Sequence, residues 1–204
     1  MQGFAKGLVS GRRTTYSSGM VNSWLKSMLF VSALALAGGA LAQLPASQQS
    51  FADEDKDWGV APTSHLRMQP YHAPTPREIP GAQAVSTRGL QTMLAAPDAP
   101  ILIDVLSGEG HVTLAGARWL AGVGRGTNFL DPIQSIVMQL LGQLTGGNKA
   151  RPMVFFCANS ECWLSYNAAL RAVVAGYSRV YWYRGGIDAW TEAGLPTAKT
   201  VAGR

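Results

Sequence analysis

The two cysteines of the 204-residue chain, Cys157 and Cys162, are the residues best suited to chemistry. A cysteine thiolate acts as a nucleophile, and two nearby thiols can form a disulfide. The apolar run 152–156 predicts a buried strand that ends at Cys157, and a helix is predicted from Trp163. Unpaired amides at a helix start favour negative charge, so they would stabilise a thiolate or persulfide if the loop curls around Cys157. The alternatives are a plain disulfide or two buried thiols.

Helix and strand patterns alternate along the second half of the chain. Apolar residues at helical spacing predict helices, and short apolar runs between turn residues predict strands. Helices are predicted at 86–94, with Ser86 as N-cap, and at 132–144, 163–175 and 187–193; strands are predicted at 101–105, 152–156 and 180–183. This alternation predicts an α/β fold whose central parallel sheet carries helices on both faces. Ligands bind such sheets at the carboxyl ends of the strands, where Cys157 lies.

The N-terminal segment is predicted to be a signal peptide over residues 1–42. Its apolar stretch, residues 28–42, is about 15 residues long and shorter than the roughly 20 needed to span a bilayer, so we predict no permanent membrane span. Ala40-Leu41-Ala42 fits the small-x-small cleavage pattern before Gln43, and Met20 is an alternative start. The sequence therefore predicts export to the periplasm, an oxidising compartment in which disulfides persist.

The net charge of +5 arises from the N-terminal segment. Lys6, Arg12, Arg13 and Lys26 precede the first acidic residue, Asp53, and the rest of the chain carries nearly equal numbers of basic and acidic residues. No cluster of basic residues interleaved with aromatics is present there. We therefore predict no nucleic-acid binding.

Residues 43–81 are predicted to form a proline-rich arm or linker, because the frequent prolines prevent long helices. Two histidines in this segment, His65 and His72, are seven positions apart without a cysteine or carboxylate at ligand spacing. Metal sites need a closer group of ligands, so we predict neither a metal site nor a cofactor. The folded domain is predicted to span residues 82–199.

The stretch 155–196 resembles the C-terminal half of a rhodanese domain. The matching features are the strand ending in Cys157, a six-position loop and helix, Gly176-Tyr177, a strand, Gly185-Gly186, Asp188-Ala189-Trp190 and Gly194-Leu195-Pro196. Upstream, Leu102-Ile103-Asp104-Val105 resembles the opening strand of that family, and 111–117 resembles the segment that follows it. The resemblance covers about 100 residues in the family's order and implies a rhodanese-like fold.

This resemblance implies roles for the cysteine loop. Cys157 matches the family's catalytic cysteine, which carries a sulfane sulfur as a persulfide, and the following positions match the cradle that holds it: Ala158, Asn159, Ser160, Glu161 and Cys162, with Trp163 next to them. Thiosulfate-using members often carry arginine at the last cradle position and after the opening Asp-Val pair. Cys162 and Leu106 stand there instead. Both departures remove positive charge that would bind thiosulfate.

Two further residues are candidate supports of the site. Asp104 is predicted to be structural. Arg184 could supply positive charge near the loop or could be a solvated surface arginine. Trp163, Trp182 and Trp190 are predicted to be core or pocket-lining aromatics.

A narrower resemblance concerns the exported CXXCW-motif proteins associated with PQQ-dependent alcohol catabolism, although four residues separate the cysteines here. Cys162-Trp163, Tyr181-Trp182-Tyr183 and Ile187-Asp188 carry it. Three functions stay open: a sulfurtransferase acting through Cys157, a dithiol–disulfide redox protein using Cys157 and Cys162, and a non-catalytic accessory module for a periplasmic dehydrogenase. The implied partners are a small sulfur-containing substrate or a periplasmic protein such as a PQQ dehydrogenase.

Overall fold

The structure, a computed structural model, describes residues 50–200. The predicted signal peptide and the first residues of the predicted arm lie outside the described residues. In chain order the elements are β1 (Gln83–Val85), α1 (Thr87–Ala95), β2 (Ile101–Asp104), β3 (Val112–Leu114), β4 (Arg118–Trp119), α2 (Pro132–Thr145), β5 (Met153–Phe156), α3 (Trp163–Val174), β6 (Val180–Tyr183), α4 (Gly186–Glu192) and β7 (Thr197–Lys199). Within residues 50–200, every helix is too short or too polar to cross a membrane.

Five strands form a parallel sheet in the order β1-β6-β5-β2-β4. The remaining two strands, β3 and β7, pair with each other in an antiparallel ribbon. Strand β5 lies at the centre of the sheet, with β2 and β6 on its two sides. The residue that follows β5 therefore emerges at the middle of the carboxyl edge.

Two hydrophobic clusters cover the two faces of the sheet. Successive side chains of a strand point to opposite faces, and β5 shows this directly: Met153 and Phe155 belong to one cluster, whereas Val154 and Phe156 belong to the other. The first cluster contains residues of α2 and α3, and the second contains residues of α1 and α4. The predicted parallel α/β sheet with helices on both faces is confirmed.

Helix ends follow from the capping residues. Ser86 caps α1 by accepting a hydrogen bond from the Gly89 amide at 3.2 Å, as predicted. Asp131 caps α2 in the same way, with proline in its first turn, and Gly146 ends α2 in the left-handed conformation with φ of 60°. The predicted helices match the observed ones to within one residue at each end.

A buried arginine ties α3 to the loop that precedes α2. Arg171 is fully buried and forms an ion pair of 2.7 Å with Asp131. Its guanidinium also donates to the Arg125 carbonyl oxygen at 2.7 Å and to Gln134 Oε1 at 3.1 Å. Burial alone would raise the pKa of the Asp131 carboxyl, but hydrogen bonds from Arg171 and the Thr127 amide hold that pKa below its ordinary value.

The lowered pKa of Asp131 predicts a stability contribution that depends on pH. Because the folded-state pKa lies below the unfolded-state value of about 4, the contribution is present above that pH and is lost as the pH falls through the folded-state pKa. We expect the free energy of unfolding of Asp131→Asn, which keeps a capping oxygen, to approach that of the wild type on acidification. Denaturation curves between about pH 7 and about pH 2 measure this difference, and a constant difference would contradict the assignment.

Candidate active site

Cys157 and Cys162 form a disulfide, with their Cα atoms 6.1 Å apart. Cys157 follows the last residue of β5, and Cys162 is the N-cap of α3. Both are buried, since Cys157 is 1% and Cys162 7% exposed. The sulfurs thus lie where the central strand of the sheet passes into a helix, at the edge where parallel α/β sheets bind ligands.

The start of α4 fixes the first part of the cysteine loop. The amides of Ile187 and Asp188 donate to the carbonyl oxygens of Cys157 and Ala158 at 3.0 and 2.9 Å. Asn159 adds a side-chain contact, because its Nδ2 donates to Asp188 Oδ2 at 2.8 Å. The backbone beside the reactive position is therefore held by hydrogen bonds from a neighbouring helix start.

Gly186 is required for this close approach. Its φ of +61° favours glycine, and a Cβ atom there would collide with the Cys157 carbonyl oxygen and lie 2.7 Å from the Ala158 carbonyl oxygen. Gly194 has a similar φ of +68°, but a Cβ atom there would meet nothing within 4 Å. A comparison of alanine substitutions at Gly186 and Gly194 therefore separates the cost of backbone strain from the cost of steric collision.

Replacing Gly186 by alanine is expected to destabilise the fold by about 3 kcal/mol, because strain and overpacking add. The matched variant Gly194→Ala carries the strain alone and is expected to lose about 1 kcal/mol. Chemical denaturation of both variants measures the difference. Equal losses would show that the contact between Gly186 and the cysteine loop is not tight.

Several amides of the loop donate away from the sulfurs. The Glu161 amide donates to Asn159 Oδ1, and the Cys162 amide to the Asn159 carbonyl oxygen, both at 3.1 Å. The Trp163 amide, at the start of α3, donates to the Tyr71 carbonyl oxygen at 2.9 Å. In this disulfide state, these three donors are not available to a negatively charged sulfur.

The arm preceding the domain runs beside the loop. Residues 71–75, called the strap, pair with residues 160–163: His72 and Cys162 form an antiparallel bridge, and the Ala73 amide donates to the Glu161 carbonyl oxygen at 2.8 Å. The indole Nε1 of Trp163 donates to the Pro74 carbonyl oxygen at 3.1 Å. Thr75 Oγ1 donates to the Ser160 carbonyl oxygen at 2.5 Å.

Other parts of the arm also contact the domain. The Thr63 backbone pairs with the hydroxyl of Tyr166, and the Arg67 backbone pairs with the side-chain amide of Asn167. Glu54 Oε2 accepts hydrogen bonds from the amide and the hydroxyl of Thr87, both at 2.7 Å. The described part of the arm is therefore docked along α3 and the carboxyl edge of the sheet.

Arg184 is buried, at 3% exposure, so the interpretation as a solvated surface arginine is wrong. Its guanidinium donates to Thr75 Oγ1 at 3.0 Å, to the Thr75 carbonyl oxygen at 3.1 Å and to the Glu54 carbonyl oxygen at 2.7 Å. Burial lowers the pKa of Arg184, and the nearby Arg77 lowers it further. Arg184 thus holds the arm in place and reaches the cysteine loop only through Thr75.

Asp104 is buried at the end of the neighbouring strand β2. Its carboxylate accepts a hydrogen bond from the Leu106 amide and is paired with His111 Nε2 at 2.8 Å. The ring of His111 also packs edge-on against Trp119. Asp104 therefore fastens the segment after β2, and its hydrogen bonds do not extend to the cysteine loop.

Aromatic side chains are buried in the hydrophobic clusters on both faces of the sheet. Trp163, Trp182 and Trp190 are all at most 5% exposed, which agrees with the core positions predicted for them. Tyr166 contacts both Trp163 and Trp182, at ring-centroid distances of 4.9 and 5.1 Å. Across residues 50–200, no group of three or more histidine, cysteine or acidic side chains could hold a metal ion.

The structure adds residues to the site that the sequence did not indicate. Thr75 and Tyr71 contact the cysteine loop from a segment more than 80 positions away in the chain. The prolines on both sides of Thr75 indicate extended backbone, but nothing in the pattern shows where that backbone docks. The sequence predicts the cysteine loop but not the segment that pairs with it.

Comparisons with known proteins agree with this architecture. A model of the rhodanese-like domain family matches residues 86–193, more than half of the chain. A comparison with curated proteins gave no match. The solved structures that resemble the chain include three at low sequence identity. The polysulfide-sulfur transferase homodimer from Wolinella succinogenes is 18% identical, with 61% of this chain and 83% of that chain covered and a TM-score of 0.42.

The second is a rhodanese-like domain from an Anabaena protein, 19% identical, with 49% of this chain and 99% of that chain covered and a TM-score of 0.36. The third is EanB in complex with hercynine, 18% identical, with 58% and 32% covered and a TM-score of 0.43. The family assignment rests on the family model, whose range contains both cysteines and the elements around them. The chain belongs to the rhodanese-like domain family.

Proposed function

We propose that this protein is a periplasmic sulfurtransferase in which Cys157 receives a sulfane sulfur as a persulfide and Cys162 resolves it. One observation carries the proposal: the cysteine at the family's catalytic position is bonded to a second cysteine in the same loop. The two sulfurs are therefore close enough to react with each other without any rearrangement of the fold.

The proposed reaction has two steps that balance. First, the Cys157 thiolate attacks the sulfane sulfur of a persulfide or polysulfide donor, and the shortened donor leaves as a thiolate or polysulfide anion. Second, the Cys162 thiolate attacks the Sγ atom of Cys157 and expels the terminal sulfur as hydrosulfide, which leaves the Cys157–Cys162 disulfide. An external dithiol then supplies two electrons to restore both thiols and is itself oxidised to a disulfide.

The charge around the loop favours a donor other than thiosulfate. Cys162 and Leu106 replace two arginines that would bind a dianion, and the guanidinium of Arg184 is occupied by Thr75 and Glu54. A persulfide or an organic polysulfide carries less charge on its sulfur chain than the thiosulfate dianion. Sulfane sulfur carried by such a donor is therefore the proposed substrate.

Export and a link to PQQ-dependent alcohol catabolism form part of the proposal. Export is supported by the apolar segment 28–42, which ends in Ala40-Leu41-Ala42. The catabolic link is supported by the resemblance of Cys162-Trp163 and its downstream residues to the CXXCW-motif proteins. A PQQ dehydrogenase is the proposed protein partner.

The disulfide also favours a second candidate function, dithiol–disulfide redox exchange without sulfane sulfur. In that case the disulfide would accept electrons from a substrate dithiol, and no persulfide would form on Cys157. The two functions differ in whether hydrosulfide is released.

A single-turnover measurement tests the proposal. The reduced protein is mixed with a polysulfide donor, and released hydrosulfide and remaining thiols are counted together. We expect one hydrosulfide for each disulfide formed, and none from Cys157→Ser. Disulfide formation without hydrosulfide release would favour redox exchange and count against sulfur transfer.

A further inference from the structure

We propose that the strap is a gate over the disulfide and that Thr75 and Arg184 form the latch that holds the gate closed. The inference rests on the proposed function only in treating the Cys157–Cys162 disulfide as a group that must be reduced in each cycle. In this proposal the arm controls the access of thiols to the disulfide.

The first reason for proposing a gate is that thiols have restricted access to the two sulfurs. Reduction requires a thiolate to reach one of the two sulfurs directly, yet both cysteines are buried. Tyr71 and Ala73 of the strap pack against the hydrophobic cluster that contains both cysteines, and His72 pairs with Cys162. A thiol approaching from the carboxyl edge of the sheet therefore meets the strap before it meets Cys162.

The strap is built so that it can detach without unfolding the sheet. It joins the loop through one antiparallel bridge and a few separate hydrogen bonds, rather than through a continuous ladder. Pro74 and Pro76 have no amide hydrogen to donate, which limits the pairing further. Segments with few backbone hydrogen bonds open at lower free energy than the core.

The latch lies at the C-terminal end of the strap. Thr75 Oγ1 donates to the Ser160 carbonyl oxygen at 2.5 Å and accepts from Arg184 Nε at 3.0 Å, so one hydroxyl connects the body of the domain, the strap and the loop. Thr75 and Arg184 are 1% and 3% exposed. Both therefore act as positioning residues, because they hold the strap without touching the sulfurs.

Opening the gate would also favour the chemistry. The Trp163 amide donates to the Tyr71 carbonyl oxygen while the strap is closed. When the strap leaves, this amide at the positive end of α3 loses its partner beside Cys162. A thiolate at a helix start is stabilised by such donors, so departure of a sulfur as thiolate becomes easier in the open state.

Reduction kinetics test the gate. The oxidised protein is treated with excess dithiothreitol, free thiols are alkylated at intervals, and intact mass gives the rate. One thiolate of the reagent forms a mixed disulfide with a protein sulfur, its second thiol displaces that sulfur, and the reagent leaves as a cyclic disulfide. Thr75→Val keeps the side-chain shape but removes both hydrogen bonds of the Thr75 hydroxyl, and it leaves the bond from Arg184 to the Thr75 carbonyl oxygen. We expect it to be reduced about tenfold faster than the wild type.

Thr92→Val is the matched control, because Thr92 is exposed on α1 and its hydroxyl contacts only the Arg88 carbonyl oxygen. Its reduction rate is expected to equal that of the wild type. Amide exchange identifies what opened: in Thr75→Val the amides of Ala73 and Trp163 should lose protection while that of Phe155 keeps it. If the amides of Ala73 and Trp163 lose protection in Thr75→Val but its reduction rate is unchanged, the gate is overturned.

A second test uses only the wild-type protein and therefore does not depend on whether Thr75→Val folds. Gated reduction should accelerate in low urea with a slope smaller than that of global unfolding. A rate independent of urea would mean direct attack on an open site, and a slope equal to that of global unfolding would mean no separate gate; either result overturns the proposal. Reduction by dithiothreitol involves no sulfane sulfur. A negative result here would therefore contradict the gate but not sulfur transfer, whereas a negative hydrosulfide measurement would contradict sulfur transfer but not the gate.

Discussion

Replacing Cys162 by serine is expected to trap a persulfide on Cys157. Without the second thiol nothing within the loop can expel the terminal sulfur, because these are the only two cysteines of the chain. Serine is also a good N-cap, so the start of α3 should be preserved. Intact mass spectrometry after incubation with polysulfide should show a gain of one sulfur atom, which a reducing dithiol removes as hydrosulfide.

Two controls define this result. Cys157→Ser should gain no sulfur under the same conditions, and the wild type should show the disulfide mass rather than the persulfide mass. If Cys162→Ser takes up no sulfur from any sulfane donor, Cys157 is not the acceptor and the proposed sulfur transfer fails.

Replacing Arg171 by methionine is expected to cause a large loss of stability, about 3 kcal/mol or more. The guanidinium is fully buried and serves Asp131, Gln134 and the Arg125 carbonyl oxygen, all of which would lose a donor. The carboxylate of Asp131 would remain mostly buried, with a side chain that is 13% exposed. Chemical denaturation measures the loss.

Arg151→Met is the matched control for Arg171→Met. Arg151 pairs with Asp98 at 3.1 Å, but its side chain is 39% exposed, so solvent screens the pair. Its replacement is expected to cost less than about 1 kcal/mol. Similar losses for the two variants would show that Arg171 is not an anchor of the loop before α2.

The sequence predicted the elements whose signals are local. The strand ending at Cys157, its position in a parallel sheet and the helices on both faces follow from apolar periodicity and from capping residues such as Ser86 and Gly146. Each of these signals is short-range, because it depends on residues that are close together in the sequence.

The short strands β1, β3, β4 and β7 were not predicted, because two or three residues carry too little periodicity to be recognised. Their partners are distant: β1 pairs with β6, and β3 pairs with β7. Burial of Arg184 escaped prediction for the same reason, since its acceptors come from Thr75 and Glu54, over 100 positions earlier. Long-range polar pairing leaves no pattern in a single sequence.

The reduction potential of the Cys157–Cys162 pair tests the central claim most directly. A disulfide that forms and is reduced in every cycle needs a potential within the range of redox-active pairs, about −120 to −270 mV. Equilibration of the protein with dithiol–disulfide buffers, followed by alkylation and mass spectrometry, gives the value. We predict a potential inside that range, and a value below about −300 mV would mark the bond as structural and contradict the account.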